Sequence, residues 1–325
     1  MRTFLTAAFF LLVFSVSSFA AASATDIPLG QSAAADDLFE TQRGYFHPSL
    51  NLSGVYTDNL FNQSSSNAQE EFLTIVTPGL WLAFPGQLKP SEPLNTDTTS
   101  AGGLTMSRFG EDDERPFQSF LNYEAAIKSN KNFSSEDITT HKLHGLLRGT
   151  LTSGLSLELA DAFSKSHDAY ATGSSVGQNE FTSNLIGLKG AIPIGDRFKL
   201  HLAYSNFLVD YDTLANSFRD RSDNTVTGYL YYALSQKTKL FTQYSFLDVV
   251  YDNNVTSDNT QQHVYMGIDY SISEKVQAMV KLGYGSQDRD GALVGRDDFI
   301  YEVQADYQFT QKNNLNVAIL RKLKE

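Results

Sequence analysis

Apolar and polar positions alternate with a period of two over much of the chain. From Phe299 to Phe309 the apolar set is Phe299, Tyr301, Val303, Ala305, Tyr307 and Phe309. Between them lie Ile300, Glu302, Gln304, Asp306 and Gln308. Successive side chains of a strand point to opposite faces, so this run predicts one oily face and, Ile300 aside, one polar face. Leu121 to Ile127, Leu143 to Gly149, Phe198 to Tyr204, Val264 to Tyr270 and Val276 to Tyr284 repeat the pattern. Helical spacing fits none of them. Phe72 to Phe84, Asn224 to Leu234 and Lys239 to Val250 are apolar on both faces in places, as when a narrow barrel fills its own interior. Among the inward aromatics this predicts are Phe207, Tyr229, Tyr231 and Phe241. Strands of soluble proteins average about five or six residues. The longest runs here instead match a tilted strand crossing a bilayer in about 9–11 residues.

The connections come in two kinds. Thr152 to Gly154, Pro193 to Arg197, Ser235 to Thr238, Ser271 to Lys275 and Thr310 to Asn314 read as tight turns. Ser164 to Glu180, Asp210 to Asp223, Asp252 to Asn259 and Ser286 to Asp298 read as longer loops crowded with Asp, Asn, Ser and Gly. One hairpin plus one long loop repeats at a spacing of roughly 37–42 residues. Short turns at one end and long loops at the other is the outer-membrane arrangement. A propeller shares the period, but each of its blades needs four short strands. Two segments depart from the rule. Gly86 to Pro116 is a long polar connection on the short-turn side, and Thr25 to Phe46 is an acidic, Ala-rich leader assigned to the periplasm.

The strand count from Leu50 is about 13, ending with Leu315 to Leu320. Single-chain bacterial barrels have an even number of strands. The expectation is therefore an all-β fold: an antiparallel up-and-down transmembrane β-barrel of about 12–16 strands, truncated at its C-terminus.

The first residues set the compartment. Arg2, the apolar stretch Thr3 to Phe14 and the small residues Ala22-Ser23-Ala24 before Thr25 predict a secretory signal peptide over 1–24. The competing reading is a retained anchor helix, weakened by the poorly hydrophobic tail of Ala and Ser. A periplasmic leader over 25–46 and a barrel over 47–325, with the polar connection at 86–116, complete the expected organisation. No other stretch reaches 18 consecutive apolar residues, so no membrane-spanning helix is predicted there. The mean hydropathy of −0.27 does not exclude a barrel, whose alternating strands average like a soluble protein. The chain holds 16 Tyr and 23 Phe but one Trp. Such aromatics serve interfacial girdles or the core of a soluble β-sandwich equally well.

Several chemistries fall away. With no cysteine there is no disulfide, thiolate site or lipidated cysteine. A net charge of −12 argues against nucleic acid as partner. His141 and His144, three apart on a strand, point to opposite faces and cannot chelate one ion. Asp161, Ser164, His167 and Asp168 lie together in sequence but have the ordinary composition of a rim loop. Asp288-Arg289-Asp290-Gly291 with Arg296-Asp297-Asp298 lacks the EF-hand spacing and its closing Glu. No catalytic, cofactor or metal site is predicted, and no enzyme. Charge in lipid is costly, about 2–4 kcal/mol for Lys or Arg at mid-membrane. Glu124, Lys128, Lys142, Arg148, Glu158, Lys199, Lys281, Glu302 and Asp306 are therefore predicted to face a hydrated lumen. Both signs are present, without the dense Arg and Lys lining of a polyanion conduit.

The opening of the predicted barrel carries a resemblance. His47-Pro48-Ser49-Leu50-Asn51-Leu52, then Tyr56-Thr57-Asp58-Asn59-Leu60-Phe61 and Thr77-Pro78-Gly79-Leu80, resembles the start of the β-barrel porin-2 family. Tyr211-Asp212, Tyr251-Asp252 and Ser235-Gln236-Lys237-Thr238 fit the same style, and the similarity runs from Phe46 to Leu320. Members are outer-membrane barrels often encoded beside exopolysaccharide assembly genes, and they usually continue further than this chain. The resemblance implies an outer-membrane barrel with a part in saccharide export, and no catalytic residue to carry over. Its expected partners are outer-membrane lipid and lipopolysaccharide, with polysaccharide or export-complex proteins. The alternatives are a closed interaction barrel acting through acidic loops, or a soluble periplasmic β-protein.

Overall fold

The computed structural model describes residues 46–84, 117–168, 179–253, 255–273, 275–290, 295–310, 313–321 and 323. They form thirteen strands: β1 Phe46–Thr57, β2 Glu71–Phe84, β3 Phe117–Asn130, β4 Ile138–Thr150, β5 Ser156–His167, β6 Glu180–Ile194, β7 Phe198–Tyr211, β8 Arg221–Ala233, β9 Thr238–Tyr251, β10 Asn259–Ser273, β11 Val276–Arg289, β12 Arg296–Gln308 and β13 Asn314–Arg321. All belong to one sheet in strict sequence order, every pair antiparallel. β1 and β13 are its two ends, and no pairing joins them among the described residues. The fold is thus all-β and up-and-down, with the thirteen strands that alternation predicts. The signal segment 1–24, the leader up to residue 45 and the connection at 86–116 lie outside the described residues.

The strands are longer than the apolar runs. β6 takes in Pro193 and Ile194, β5 runs on to His167, and β11 reaches Arg289. Backbone pairing does not need an apolar side chain, so the ladder continues past the oily stretch into residues that composition alone assigns to loops. Proline leaves its mark. Between β2 and β3 the ladder lapses at Thr77 and Pro78 and resumes in the same register at Gly79↔Glu124. Pro78 has no N–H to give.

Each strand is displaced against the one before. Followed across opposed residues, a line leaves Phe84, the last residue of β2, and passes Leu147, Leu188, Val226 and Gln262. It arrives at Asp297, the second residue of β12. The displacement is about one residue per strand. With about 3.3 Å per residue and 4.8 Å between strands, this inclines the strands by roughly 40° to the axis of a rolled sheet. At that tilt some ten residues cover an apolar band about 25 Å tall.

Burial is inverted. Met266 and Leu52 are each 72% exposed and Leu282 51%, whereas Lys281 is 5% and Glu302 6% exposed. Apart from the strands, only two 3₁₀ turns, Ser134–Glu136 and Ser217–Arg219, occur among the described residues. Among these residues neither a helix nor a second sheet covers the polar face. That face is buried because the sheet curls over itself, and contacts skip strands as curling requires. Lys281 on β11 donates to Gln243 on β9 at 3.3 Å, and Lys128 on β3 meets His167 on β5 at 2.9 Å.

Two turns at the short end need glycine. Gly154 has φ +82° and Gly195 φ +63°. A Cβ on Gly154 would sit 2.9 Å from Pro193 Cγ, whereas nothing lies within 4 Å of one on Gly195. Both changes to alanine force a left-handed residue, a cost of about 1–3 kcal/mol. Gly154→Ala is expected to lower unfolding free energy more than Gly195→Ala in urea titrations of lipid-reconstituted protein. Equal losses would show that Pro193 does not crowd the turn.

Candidate functional site

The inward face of the sheet is the candidate site, and parity decides who stands on it. In β4 and β5, Leu147 and Leu159 face outward, so their neighbours Arg148 and Glu158 face inward as opposed partners. The same count puts all nine candidates, Glu124, Lys128, Lys142, Arg148, Glu158, Lys199, Lys281, Glu302 and Asp306, on the face opposite the exposed apolar one.

Three sets are brought together. Arg148 donates Nε to Glu158 at 2.6 Å, and Lys189 reaches the other carboxylate oxygen at 2.9 Å. Lys281 pairs with Glu302 at 2.7 Å while lying 4.7 Å above the ring of Tyr265. Glu124 stands opposite Lys142 and accepts from Asn122 at 3.3 Å. Lys128 lies apart at the loop end beside His167, Lys199 at the short-turn end, and Asp306 beside Asn316 on β13. Lys189 belongs to the site but not to the sequence-predicted set. The outward run Ile186, Leu188, Ile192 and Ile194 was the available signal, because it makes Lys189 inward by parity.

The inward face is not uniformly polar. Phe181, Leu185, Phe207, Val209 and Tyr211 form one buried apolar cluster on β6 and β7. Tyr229, Phe241 and Met279, with Tyr231 against them, form another. The inward aromatics thus fill space between β6 and β11. In the sector of β2 to β4 the polar side chains are less enclosed: Asn122, Glu124, Lys142, His144 and Arg148 are all half-buried.

The long loops interlock. Arg219 pairs with Asp168 at 2.6 Å and covers the Tyr211 ring at 4.4 Å, and Asn216 donates to Asn179 at 2.8 Å. Thr256 donates to the Phe218 carbonyl at 2.9 Å. In this end of the molecule, burial pushes the Asp220 carboxyl up, against the Tyr211 amide it accepts from, with Asp210 and Asp252 adding to the rise. His141 and His144 point to opposite faces: His141 Nδ1 meets the outward Tyr123 hydroxyl at 2.9 Å, and His144 lies opposite Asn122. Asp161 and Ser164 are likewise split, Asp161 beside the outward Asn184 and Ser164 fully buried inside. Asp288 and Arg289 end β11 and Arg296 to Asp298 begin β12, while Gly291 lies outside the described residues. Among the described residues no three ligating side chains converge as a metal site would need.

No protein-family model matches the chain, and no curated protein matches it either. Its structural neighbours are outer-membrane β-barrel proteins. A loop L8 deletion mutant of OmpT, an outer membrane protein of Vibrio cholerae, is 11% identical over 86% of this chain and 100% of its own, with a TM-score of 0.41. An outer-membrane channel of Pseudomonas putida F1 is 13% identical over 86% and 95%, with a TM-score of 0.39. A triple mutant of the Rhodopseudomonas blastica porin is 11% identical over 84% and 98%, with a TM-score of 0.19. At these scores the likenesses carry no argument about function, which rests on the chain's own geometry.

The Lys281–Glu302 pair gives a sharp energetic expectation. Removing one partner leaves the other charge buried and uncompensated, a loss of about 3–5 kcal/mol, whereas replacing both by apolar side chains is often close to neutral. Glu302→Leu is expected to destabilise by about that amount. The double variant Lys281→Met/Glu302→Leu should recover most of it in the same urea titration. A double variant no better than the single would mean the two charges are not coupled.

Proposed function

We propose that this chain forms the wall of an outer-membrane β-barrel that passes polar, largely uncharged solutes, with saccharides as the substrate class. The carrying observation is the inverted burial: oily side chains exposed on one face of every long strand, and paired charges and amides enclosed by the other. In water this distribution would be unstable, since exposing a contiguous apolar belt forfeits about 25 cal/mol for each Å² left in water. Against acyl chains it is the low-energy arrangement.

Three further features support the reading. The strand tilt and length fit the thickness of a bilayer. Aromatics gather outward at the short-turn ends of the strands: Phe46, Phe84, Phe117, Phe198, Tyr270 and Tyr307, where a headgroup girdle would sit. The inward charges are partly compensated in place: Lys281 is paired with Glu302, and Glu158 offsets one of the two cations it bridges, Arg148 and Lys189. Compensated charges have less purchase on ions than isolated ones and leave more of the selection to hydrogen bonding and shape. The signal segment at 1–24 would take the chain across the inner membrane, and outer-membrane lipid and lipopolysaccharide would surround the belt. The resemblance to the β-barrel porin-2 family points to saccharide export for the same solute class.

A second reading has its own observation. The two apolar clusters on β6 to β11 occupy part of the interior, as in a closed barrel that acts through its interlocked loops. Single-channel recording decides between them. Refolded full-length protein in planar bilayers is expected to give discrete conductance steps of weak ion selectivity. Silent bilayers containing correctly inserted protein would leave the closed barrel standing.

The membrane itself is tested separately. Leu202, outward on β7 and 47% exposed, lies mid-strand. Leu202→Arg is expected to cost about 2–4 kcal/mol of folding free energy in lipid vesicles. A soluble β-protein would tolerate the same change and would leave cells without detergent.

A further inference from the structure

Trp81 is the one tryptophan of the chain, and it stands on the inward face of β2, away from the outward aromatics. Its ring lies nearly flat on Phe120 of β3, with centroids 4.7 Å apart and planes 21° from parallel. Directly opposite Trp81 is Asn122, and opposite Asn122 on β4 is His144. One pleat toward the long loops, Glu124 faces Lys142 and accepts from the Asn122 amide. All six side chains are half-buried, in the less enclosed sector of the wall. The aromatics of the Tyr229 cluster are packed away by comparison.

The chemistry of this group is specific. A pyranose ring presents an apolar face of C–H groups and a rim of hydroxyls that both donate and accept. A flat aromatic platform takes the face, while an amide, an imidazole and a carboxylate at its border match the rim. A purely apolar ligand would bury those polar groups without partners. A simple ion would gain nothing from the platform. Binding sites combine a flat apolar surface with a few placed polar groups, and this is such a combination.

We propose that Trp81 and Phe120, bordered by Asn122, His144 and Glu124, form a saccharide-binding site on the inner wall. The inference rests on reading the inward face as a solute path, and the experiment keeps the two apart. Full-length refolded protein is titrated with maltoheptaose while tryptophan emission is followed, with glycerol at equal osmolality as control. Emission arises from Trp81 alone, so a saturable change with maltoheptaose and none with glycerol is expected. Phe120→Leu and Asn122→Ala should each weaken binding about tenfold, whereas Thr227→Ala, on the same face at β8, should leave it unchanged. Heat-modifiable migration on gels checks that each variant retains its fold. For Trp81→Phe, calorimetry replaces emission, and a loss of about tenfold or more is expected. Conductance without any saturable emission change overturns the site and leaves the channel. Undiminished binding in Phe120→Leu and Asn122→Ala, both folded, overturns it as well. Saturable binding by a barrel that never conducts sustains the site and removes the solute path.

Discussion

Uninterrupted antiparallel register is the constraint on which everything else in this molecule depends. The sheet has twelve interfaces, and each must keep the parity of the one before it. A slip of one residue between β11 and β12 would turn Glu302 outward and bring Tyr301 in, leaving Lys281 without its carboxylate. Among the described residues, nothing packs on the sheet from outside to correct such an error. Register is therefore held by the ladder and by the contrast between faces. The local irregularities fall where they do little harm: the bulge between Ser271 and Ser273 sits at the end of β10, and the lapse at Thr77 and Pro78 resumes in the same frame.

Parity also explains how much of the fold was legible from the chain. Phe299 to Phe309 alternates, so one face of β12 could be assigned without knowing its neighbours. Thirteen strands and alternating loop lengths follow from repeating that reading. Strand ends did not follow, because Ser286 to Arg289 pair their backbones although their side chains look like loop. The inward position of Glu158 was legible; its two cations were only partly so. Arg148 lies ten residues away across a hairpin, but Lys189 arrives through the register of β5 with β6, which no local pattern encodes. The apolar clusters were legible only as strands with two oily faces. That Tyr229, Phe241 and Met279 meet depends on curvature across four strands, a property of the whole sheet.

The interior divides into two regimes with different physical roles. Between β6 and β11, buried apolar side chains and the Lys281–Glu302 pair give the wall a packed inner layer of the kind that rigidifies small barrels. Between β2 and β4, half-buried polar groups remain within reach of water. A solute path fits the second sector better. Passage through the first would require moving Phe207 and Leu185, each under 3% exposed, out of a mutual contact. Packing on one side would thereby confine such a path to the other.

Charge pairing then shapes what such a path would accept. Lys281 is held against Glu302, and Glu158 between Arg148 and Lys189 offsets one of those two cations, so these groups present less free charge to anything passing than they would apart. Within the low-dielectric wall an isolated charge would dominate all other terms and attract or repel ions strongly. Pairing reduces that term. What remains is weaker and shorter in range: hydrogen bonds of order 1 kcal/mol each and the dispersion of flat aromatic faces. Terms of that size allow binding and release in turn, which transport of a polar solute requires. The register that sets these charges opposite one another is thus also what weakens the field inside.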